Sequence, residues 1–558
     1  MPDSHEELYA RELPMMTARA AAHDAETTDI PPTIPAALVR AARQWPDTNA
    51  LADGSFRLSY RQYLERSVQL ARALIARGVG PGDRVVVWAP NSAEVALTAM
   101  AVAFAGGVLV PLNTRFTAYE AAALIRRAEA VAVLAFTDFL GRDYLASLRE
   151  LGALDGLKAA VALRGPSSDE ALSLPELLAL GEETDEAEVW ARVRALGPAD
   201  ISDILFTSGT TGAPKGAMLR HGASTRAYTE YGRSLGLRRG DRMLGFPPFF
   251  HCFGLKAVVL TSVLYGAAVL PVPVFDVHQI AALIAAERIT VLQGAPLLFQ
   301  TLLDDPGVDR SSLSSLRVAG PGAMGSSPEL YRRLRDELGI RYFSPGYGLT
   351  EGTAIGARCY WFDDFETVST TCGWIAPGIE LRLAGLGGSR PHGGAGTDVP
   401  SGSDGEILLR GYNVMAGYLD DPGATAQAID ADGWLHTGDI GRVDEFGRLT
   451  ITGRLKDMFL VGGFNTYPAE IEQTLATHDA IADVSVIGVP DARLGEVGMA
   501  FVVLRPGATV TDGELTGWAR GRLANYKVPR HWRFVSALQR NASGKVIKSV
   551  LREQAEPS

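Results

Sequence analysis

Short apolar runs alternate with amphipathic stretches along most of the chain from Thr33 onwards. Apolar positions recur at helical spacing in Ile34–Trp45 and in Tyr60–Arg77, which predicts two helices that pack on a core. Short runs rich in β-branched residues, such as Arg84–Trp88, predict buried strands. Strands that alternate with helices favour parallel sheets covered on both faces. The pattern therefore predicts an α/β fold for most of the chain.

The pattern changes in the second half. Gly385–Gly405 is dense in Gly, Ser and Pro, which predicts a loop between strands. Glu406–Arg410 and Arg448–Ile451 then predict strands of a smaller, β-barrel-like unit, and from Lys456 a new series of strands and helices predicts a compact α+β unit. The predicted organisation is a flexible leader (residues 1–30), a large domain (31–455) and a small C-terminal domain (456–558).

Composition excludes several classes of protein. Of the 558 residues, 47% are hydrophobic and 21% charged, and the net charge of −11 argues against a general nucleic-acid surface. The uncharged runs Val95–Leu112 and Ala257–Phe275 approach membrane-spanning length, but glycines or prolines interrupt both. We interpret each as a buried helix that leads into a buried strand. Three widely spaced cysteines without metal-ligand spacing favour reduced thiols in a cytoplasmic protein. The oligomeric state is not readable from the sequence.

A string rich in glycine and hydroxyl residues is the most specific chemical signal. The apolar run that ends at Phe206 predicts a strand, and the string continues to Gly216. Glycines let backbone N–H groups approach an anion, and hydroxyls and a lysine add donors and charge. A Walker A loop is disfavoured because Pro214 precedes Lys215 and Gly216 follows it. The donors predicted for a polyphosphate are Thr207, Ser208, Gly209, Thr210, Thr211, Gly212 and Lys215.

Four further motifs follow in order: Tyr347–Glu351, Trp434–Asp439, Gly453–Asp457 and Arg540–Lys545. Together with the phosphate string, they resemble the signature motifs of the adenylate-forming enzymes, a superfamily of acyl-CoA synthetases, luciferases and adenylation domains. The resemblance extends over roughly Thr33–Arg552. It implies a large N-terminal domain of two α/β subdomains and a mobile C-terminal domain. It also implies ATP, Mg²⁺ and CoA, the last as a co-substrate.

The resemblance also implies individual roles. Tyr347 and the Gly322, Ala323 and Met324 backbone would hold adenine, whereas Asp439 and Arg454 would hold ribose. Thr350 would bind phosphate and Glu351 would bind Mg²⁺. Lys545 would stabilise charge during adenylation, and His251 would guard the acyl pocket. Lys456 would be the hinge, and Gly462 and Gly463 would line the tunnel for the CoA arm.

Two features bear on the ligands. Many members carry Asn or Gln two residues before the motif tyrosine, but this chain has Pro345, which removes one side-chain contact to adenine. Amino-acid-activating members place an acidic residue early in the region of Gly245–Leu255, where this chain has none. An unpaired ammonium in so apolar a region would be costly. An amino-acid substrate is therefore disfavoured.

Several longer strings are especially similar to actinobacterial acyl-CoA synthetases of steroid-ring degradation: Ile201–Gly212, Phe249–Gly254, Val368–Gly373 and Lys456–Glu472. We predict an AMP-forming acid–CoA ligase for a medium-sized, apolar, cyclic or aryl carboxylic acid. The alternatives are transfer to an acyl carrier protein or an unusual acceptor, including nitrite activation, and a luciferase-like oxidation. A non-catalytic nucleotide-binding protein is disfavoured because Lys545, Glu351 and Asp439 are all present.

Overall fold

The computed structural model describes residues 30–168, 171–207, 214–322, 327–386, 398–461, 464–491, 493–541 and 544–555. The predicted leader lies almost wholly outside these residues. The first part of the chain alternates helices and strands as the sequence predicts. Its elements are α1 (Ile34–Gln44), β1 (Asn49–Asp53), β2 (Phe56–Ser59), α2 (Tyr60–Ala76), β3 (Arg84–Trp88), α3 (Ala93–Phe104), β4 (Val108–Pro111), α4 (Ala118–Arg127), β5 (Ala132–Phe136), α5 (Tyr144–Arg149), β6 (Ala159–Arg164), β7 (Leu172–Ser173), α6 (Leu174–Leu180) and α7 (Glu186–Ala195).

The middle of the chain continues the alternation and contains a π-helix at Leu255–Leu260. Its other elements are β8 (Ile201–Thr207), β9 (Lys215–Arg220), α8 (His221–Ser234), β10 (Arg242–Gly245), α9 (Cys252–Gly254), α10 (Thr261–Tyr265), β11 (Ala268–Pro271), α11 (Val277–Glu287), β12 (Val291–Gly294), α12 (Pro296–Asp304), β13 (Val318–Pro321), α13 (Pro328–Leu338), β14 (Tyr342–Phe343), β15 (Gly346–Tyr347), β16 (Ala357–Arg358), α14 (Phe365–Thr370) and β17 (Trp374–Ile375).

The last third is richer in strands. Its elements are β18 (Ile379–Ala384), β19 (Gly405–Gly411), β20 (Gly417–Tyr418), α15 (Pro422–Ala428), β21 (Leu435–Val443), β22 (Leu449–Arg454), β23 (Phe459–Val461), β24 (Phe464–Thr466), α16 (Pro468–Leu475), β25 (Ile481–Asp491), β26 (Gly495–Leu504), α17 (Asp512–Arg520), β27 (His531–Phe534) and α18 (Lys548–Ala555).

Two large, mostly parallel sheets organise the first two thirds of the chain. One has eight strands in the order β20-β9-β8-β4-β3-β5-β6-β7, and the other has seven in the order β14-β13-β12-β10-β11-β1-β2. Both membrane-length runs form a buried helix followed by a buried strand, and the second run ends in the exposed residues Val274 and Phe275. The predicted β-rich unit is an antiparallel sheet, β18-β19-β21-β22. The predicted α/β class is confirmed.

The small unit after Lys456 has its own sheet, β24-β23-β26-β25 with β27 beside β26, and its own buried clusters. The antiparallel pair β25–β26 is its longest, and α16 packs on β25. The polar stretch after β6 contains helix α6, which begins at a capping box between Ser173 and Glu176 and buries Leu177.

Candidate active site

The predicted phosphate loop connects two neighbouring strands. Thr207 ends β8 and Lys215 begins β9, and the two residues are register partners. The Thr207 hydroxyl lies 3.3 Å from the Lys215 carbonyl oxygen and 3.3 Å from Glu351 Oε1. The intervening positions predicted as donors (Ser208, Gly209, Thr210, Thr211 and Gly212) lie outside the described residues. The two strand ends thus fix where the loop begins and returns, beside the Glu351 carboxylate.

Tyr418 completes this end of the site, and sequence reasoning missed it. Its hydroxyl donates to Glu351 Oε1 over 2.9 Å, and its ring lies 5.1 Å from Lys215 Nζ. Burial and the Glu351 charge raise the pKa of the Tyr418 hydroxyl, so it remains a donor at neutral pH. The residue comes from β20, which pairs with β9 but is far from it in sequence. No local signal marks it.

The residues around Glu351 fit the predicted magnesium. Within the described part of the chain, no group of three His, Cys, Asp or Glu side chains could hold a metal ion. Mg²⁺ is commonly held by one or two carboxylates together with substrate phosphates, so a single carboxylate beside a phosphate loop suffices. Glu351 Oε1 already accepts from Tyr418 and lies beside the Thr207 hydroxyl, which orients the carboxylate.

Three predicted nucleoside residues converge at the other end of the site. The Tyr347 hydroxyl donates to Asp439 Oδ2 over 2.8 Å, and Arg454 Nε lies 2.7 Å from Asp439 Oδ1. Asp439 and Arg454 are register partners on β21 and β22. Burial and the Asp439 charge raise the pKa of the Tyr347 hydroxyl. Asp439 is therefore a buried, oriented acceptor, and Thr350 is buried one turn beyond Tyr347.

Gly322, one of the residues predicted to contact adenine, directly follows β13. Its N–H donates to the Gly294 carbonyl over 2.8 Å, and a Cβ added there would lie 2.9 Å from the Phe253 ring. A side chain at this position would require the Phe253 ring to shift, which favours glycine. Ala323 and Met324 lie outside the described residues.

The small unit brings Lys545 to this site. Lys545 N–H donates to Asn541 Oδ1 over 2.9 Å, and Arg540 Nη2 pairs with Asp483 Oδ2 at 2.6 Å, which anchors the loop on β25. Gly544 has a φ of +83°, and a Cβ there would lie 3.1 Å from the Cβ of Ala295 in the large unit. The loop is thus held against the large unit at a position that favours glycine.

The cleft is electropositive around the predicted catalytic lysine. The Lys545 side chain is exposed to solvent, and partial desolvation together with the Arg454 and Lys456 charges lowers its pKa. Desolvation and the Arg454 charge also lower the pKa of Lys456, which lies in the turn after β22. The nearby carboxylates are those of Asp439 and Glu351. The cations of Lys545, Lys456 and Arg454 suit an anionic ligand.

His251 lies beside the same lysine. Its Nδ1 accepts from the Phe253 N–H over 3.2 Å, which orients the ring. Burial and the Lys545 charge lower the pKa of His251 to about 4, so the imidazole is neutral at pH 7. A neutral ring avoids adding a further cation beside Lys545. The predicted gate residue therefore lies next to the predicted catalytic lysine.

Asn91 positions the segment that leads to His251, and sequence reasoning also missed it. The buried Asn91 amide donates to the carbonyls of Gly245, Phe246 and Pro247 at 2.7–3.1 Å and accepts from the Phe249 N–H over 2.8 Å. The residue follows β3 of the other large sheet. In the sequence, the only sign of this role was the position of Asn91 shortly after the predicted strand Arg84–Trp88. Its contacts join the two sheets at the acyl side.

A buried polar cluster lies beneath the phosphate strand. Lys256 Nζ lies 2.9 Å from Asp203 Oδ2 and donates to Ser224 Oγ over 2.7 Å. Both members of the ion pair are at most 2% exposed. His221 is fully buried nearby, and its Nδ1 accepts from the Ile34 N–H over 3.3 Å. This cluster connects β8, which carries Thr207, to the π-helix after His251.

We expect acid to destabilise the protein through His221. Burial lowers its pKa to about 4 from 6.5, so between these values the unfolded chain binds the proton and the folded chain does not. The free energy of unfolding should therefore fall as pH falls, by about 2 kcal/mol from this group between pH 7 and 5. Chemical denaturation of the wild type and His221→Asn at both pH values measures it. The exposed His278 provides the control His278→Ala, and an equal pH dependence in His221→Asn would contradict the assignment.

Comparison with known proteins agrees with this geometry. Residues 38–419 match the family AMP-binding enzyme, and residues 470–545 match the AMP-binding enzyme C-terminal domain. The chain is 45% identical over 531 residues to 3-[(3aS,4S,7aS)-7a-methyl-1,5-dioxo-octahydro-1H-inden-4-yl]propanoyl:CoA ligase of Rhodococcus jostii, covering 94% of this chain and 99% of that one. It is 46% identical to the ligase of the same name from Mycobacterium tuberculosis, covering 93% and 98%.

Solved structures show the same fold. The anthranilate CoA ligase AuaEII in complex with anthranoyl-AMP matches with a TM-score of 0.83 at 25% identity, covering 94% of this chain and 98% of that one. ATP-bound MatB from Rhodopseudomonas palustris matches with a TM-score of 0.81 at 29% identity, covering 94% and 99%. Among the described residues, no helix combines the length and apolar composition needed to cross a bilayer. The chain belongs to the AMP-binding enzyme family and is an AMP-forming acid–CoA ligase.

Proposed function

We propose that this chain activates a medium-sized, apolar, cyclic or aryl carboxylic acid as its acyl-adenylate and then transfers the acyl group to CoA. The observation that carries the proposal is the position of Lys545 among Asp439, Arg454 and Glu351, with His251 beside it. The arrangement brings together a carboxylate that would bind the ribose diol (Asp439), a carboxylate that would bind magnesium (Glu351) and the cation of Lys545. Those are the groups that adenylation needs.

In the first half-reaction, a carboxylate oxygen of the acid forms a bond to the α-phosphorus of ATP. The bond from that phosphorus to the bridging oxygen breaks, and pyrophosphate leaves with the electron pair. Lys545 stabilises the charge that develops on the phosphoryl and carboxylate oxygens, because a preorganised cation is effective there. Magnesium, held by Glu351 and phosphate oxygens, would neutralise part of the phosphate charge.

The nucleotide would be oriented by groups already in place. Asp439 accepts from the ribose hydroxyls and Arg454 fixes that carboxylate, at 2.7 Å in the free protein. Tyr347 and the Gly322 backbone contact adenine, and Thr350 binds a phosphate oxygen. The string from Thr207 to Lys215 holds the pyrophosphate. Ala323 and Met324 retain their predicted adenine role as part of the proposal.

In the second half-reaction, the thiol sulfur of CoA attacks the acyl carbon, the bond from that carbon to the phosphate oxygen breaks and AMP leaves. We propose Lys456 as the hinge about which residues 456–558 turn between the two steps. Gly462 and Gly463 would line the tunnel for the thiol arm, where small residues permit close approach. The domain boundary at 455/456 belongs to the same proposal.

Two arguments support the acid class. The segment from Gly245 to Leu255 carries no acidic residue that could pair with an α-ammonium group. Relatives at 45% and 46% identity are named for a bicyclic propanoate, and the feruloyl-CoA synthase of Amycolatopsis, 35% identical over 531 residues, is named for an aryl acid. We also propose a cytoplasmic location, since all three cysteines are free thiols.

The test measures pyrophosphate release from ATP in the presence of Mg²⁺ and one of four acids. Each acid is tried with and without CoA. The acids are 3-cyclohexylpropanoate, trans-cinnamate, octanoate and phenylalanine. We expect 3-cyclohexylpropanoate and trans-cinnamate to support pyrophosphate release, with an acyl-CoA product only when CoA is present. Exclusive use of phenylalanine would contradict the acid class. Pyrophosphate release without any acyl-CoA product in the presence of CoA would instead favour an acyl carrier protein or another acceptor such as nitrite.

A further inference from the structure

His436 lies between two carboxylates, three residues before the predicted ribose ligand on β21. Its Nδ1 lies 3.3 Å from Glu406 Oε2, and its Nε2 lies 3.6 Å from Asp430 Oδ2. Asp430 is fixed by its own turn, because its Oδ1 accepts from the N–H groups of Asp432 and Trp434 at 3.0 and 2.8 Å. An imidazole can donate from both of its nitrogens only when it is protonated, so this site suits an imidazolium.

Glu406 connects this imidazole to the backbone immediately before Asp439. Its other carboxylate oxygen, Oε1, accepts from the Gly438 N–H over 3.2 Å, and the Gly438 carbonyl accepts from the Leu455 N–H over 2.9 Å. Gly438 has a φ of +66°, in the left-handed region that favours glycine, so the chain changes direction there. These two hydrogen bonds hold the turn and so fix the direction in which Asp439 leaves it.

The surroundings of the His436 ring favour its charged form. Of the described residues, Glu406 from β19 and Asp430 from the turn after α15 face the ring with charge. Arg410, also on β19, lies against the same turn and is paired with Glu380 at 2.6 Å. The hydrogen bond to Glu406 and the two carboxylate charges raise the pKa of His436 above its ordinary value, against the effect of desolvation. The ion pairs are therefore present at low pH and are lost as pH rises through this raised pKa.

We propose that the His436 imidazolium is a positioning residue for the ribose: it holds Glu406 in place, and Glu406 in turn orients the backbone that carries Asp439. The inference rests on the proposed function, which assigns the ribose hydroxyls to Asp439. Tyr347 and Arg454 contact the Asp439 carboxylate itself, whereas His436 acts on the turn before it. Loss of the proton leaves one ring nitrogen with a lone pair that faces a carboxylate. Binding of the ribose diol should therefore weaken as pH rises.

Two nucleotides separate a ribose effect from a general effect. AMP carries the diol that Asp439 would bind and 2′,3′-dideoxy-AMP lacks it, and isothermal titration calorimetry measures the Kd of each from pH 6.5 to pH 9. We expect the wild type to bind AMP roughly 10- to 100-fold more tightly at pH 6.5 and to lose much of this preference by pH 9. The phosphates of both nucleotides titrate alike, so the ratio of the two Kd values isolates the diol. A preference that does not change with pH would overturn the inference, whereas failure to bind AMP at any pH would overturn the proposed function.

Variants assign the pH dependence to His436. His436→Gln should lose most of the preference at pH 6.5 with its Kd for 2′,3′-dideoxy-AMP unchanged, whereas His436→Arg keeps a cation that does not titrate and should retain the preference up to pH 9. The matched control is His278→Gln, because His278 also faces an aspartate, Asp305 at 3.7 Å, but is 60% exposed on α11. It should behave as the wild type does. Full preference in His436→Gln, or an equal loss of affinity for both nucleotides, would overturn the inference. If His436→Gln does not fold, the pH profiles of the wild type and of His436→Arg decide, and identical profiles would overturn the inference.

Discussion

Lys545→Ala is expected to slow acyl-adenylate formation by roughly 10²–10³. The exposed side chain lies where desolvation and the Arg454 and Lys456 charges lower its pKa, so its charge can meet anionic phosphate oxygens. Alanine removes that charge and leaves the loop geometry, which depends on Asn541 and Arg540. Single-turnover pyrophosphate release at saturating ATP measures the step.

The second half-reaction provides an internal control for this variant. If Lys545 acts only while the adenylate forms, Lys545→Ala should convert supplied acyl-adenylate and CoA to thioester at close to the wild-type rate. Lys527→Ala removes another lysine of the small unit, one that pairs with Glu470 at 2.6 Å, and should leave adenylation unchanged. An undiminished adenylation rate in Lys545→Ala would remove Lys545 from the mechanism.

Lys256→Met is expected to lower the free energy of unfolding by about 3–5 kcal/mol, because it leaves a buried Asp203 carboxylate without its cation. Among the described residues, Asp203 Oδ1 has no hydrogen-bond partner, whereas Lys256 and Ser202 bind its Oδ2. The loss should be visible in urea unfolding. It should also weaken ATP binding, since Asp203 lies on β8, the strand that ends at Thr207.

Two further variants check this interpretation. The double variant Asp203→Asn/Lys256→Met removes both charges and should be more stable than Lys256→Met alone. Lys158→Met removes a half-exposed lysine that pairs with Asp83 and should change the free energy of unfolding by less than about 1 kcal/mol. If Lys256→Met lowered the free energy of unfolding no more than Lys158→Met does, the buried ion pair would not stabilise β8.

Local pattern predicted most elements of the fold. Arg84–Trp88 has the predicted bounds, and the helix predicted over Tyr60–Arg77 ends one residue earlier. These elements could be predicted because their burial periodicity and their caps lie within a few residues of sequence. The missed helix at Leu174–Leu180 carried the same kind of signal, a capping box from Ser173 to Glu176, but its polar flanks obscured it.

The candidate site was predictable where the residues form contiguous motifs. The structure brings Tyr347, Asp439 and Arg454 within hydrogen-bonding or ion-pair distance, although more than ninety positions separate the first from the second. Tyr418 was not predicted, because its importance depends on which distant strand lies beside it. A tyrosine on a two-residue strand has no local signature of a site.

The central claim is that the acid becomes an acyl-adenylate before it becomes a thioester. The most direct measurement uses the best acid of the panel, labelled with ¹⁸O in its carboxylate, together with ATP and CoA. The carboxylate oxygen that bonds to the α-phosphorus stays with AMP when sulfur replaces it, so AMP should gain one ¹⁸O in each turnover. Unlabelled AMP, or label in inorganic phosphate with ADP as the nucleotide product, would contradict the account.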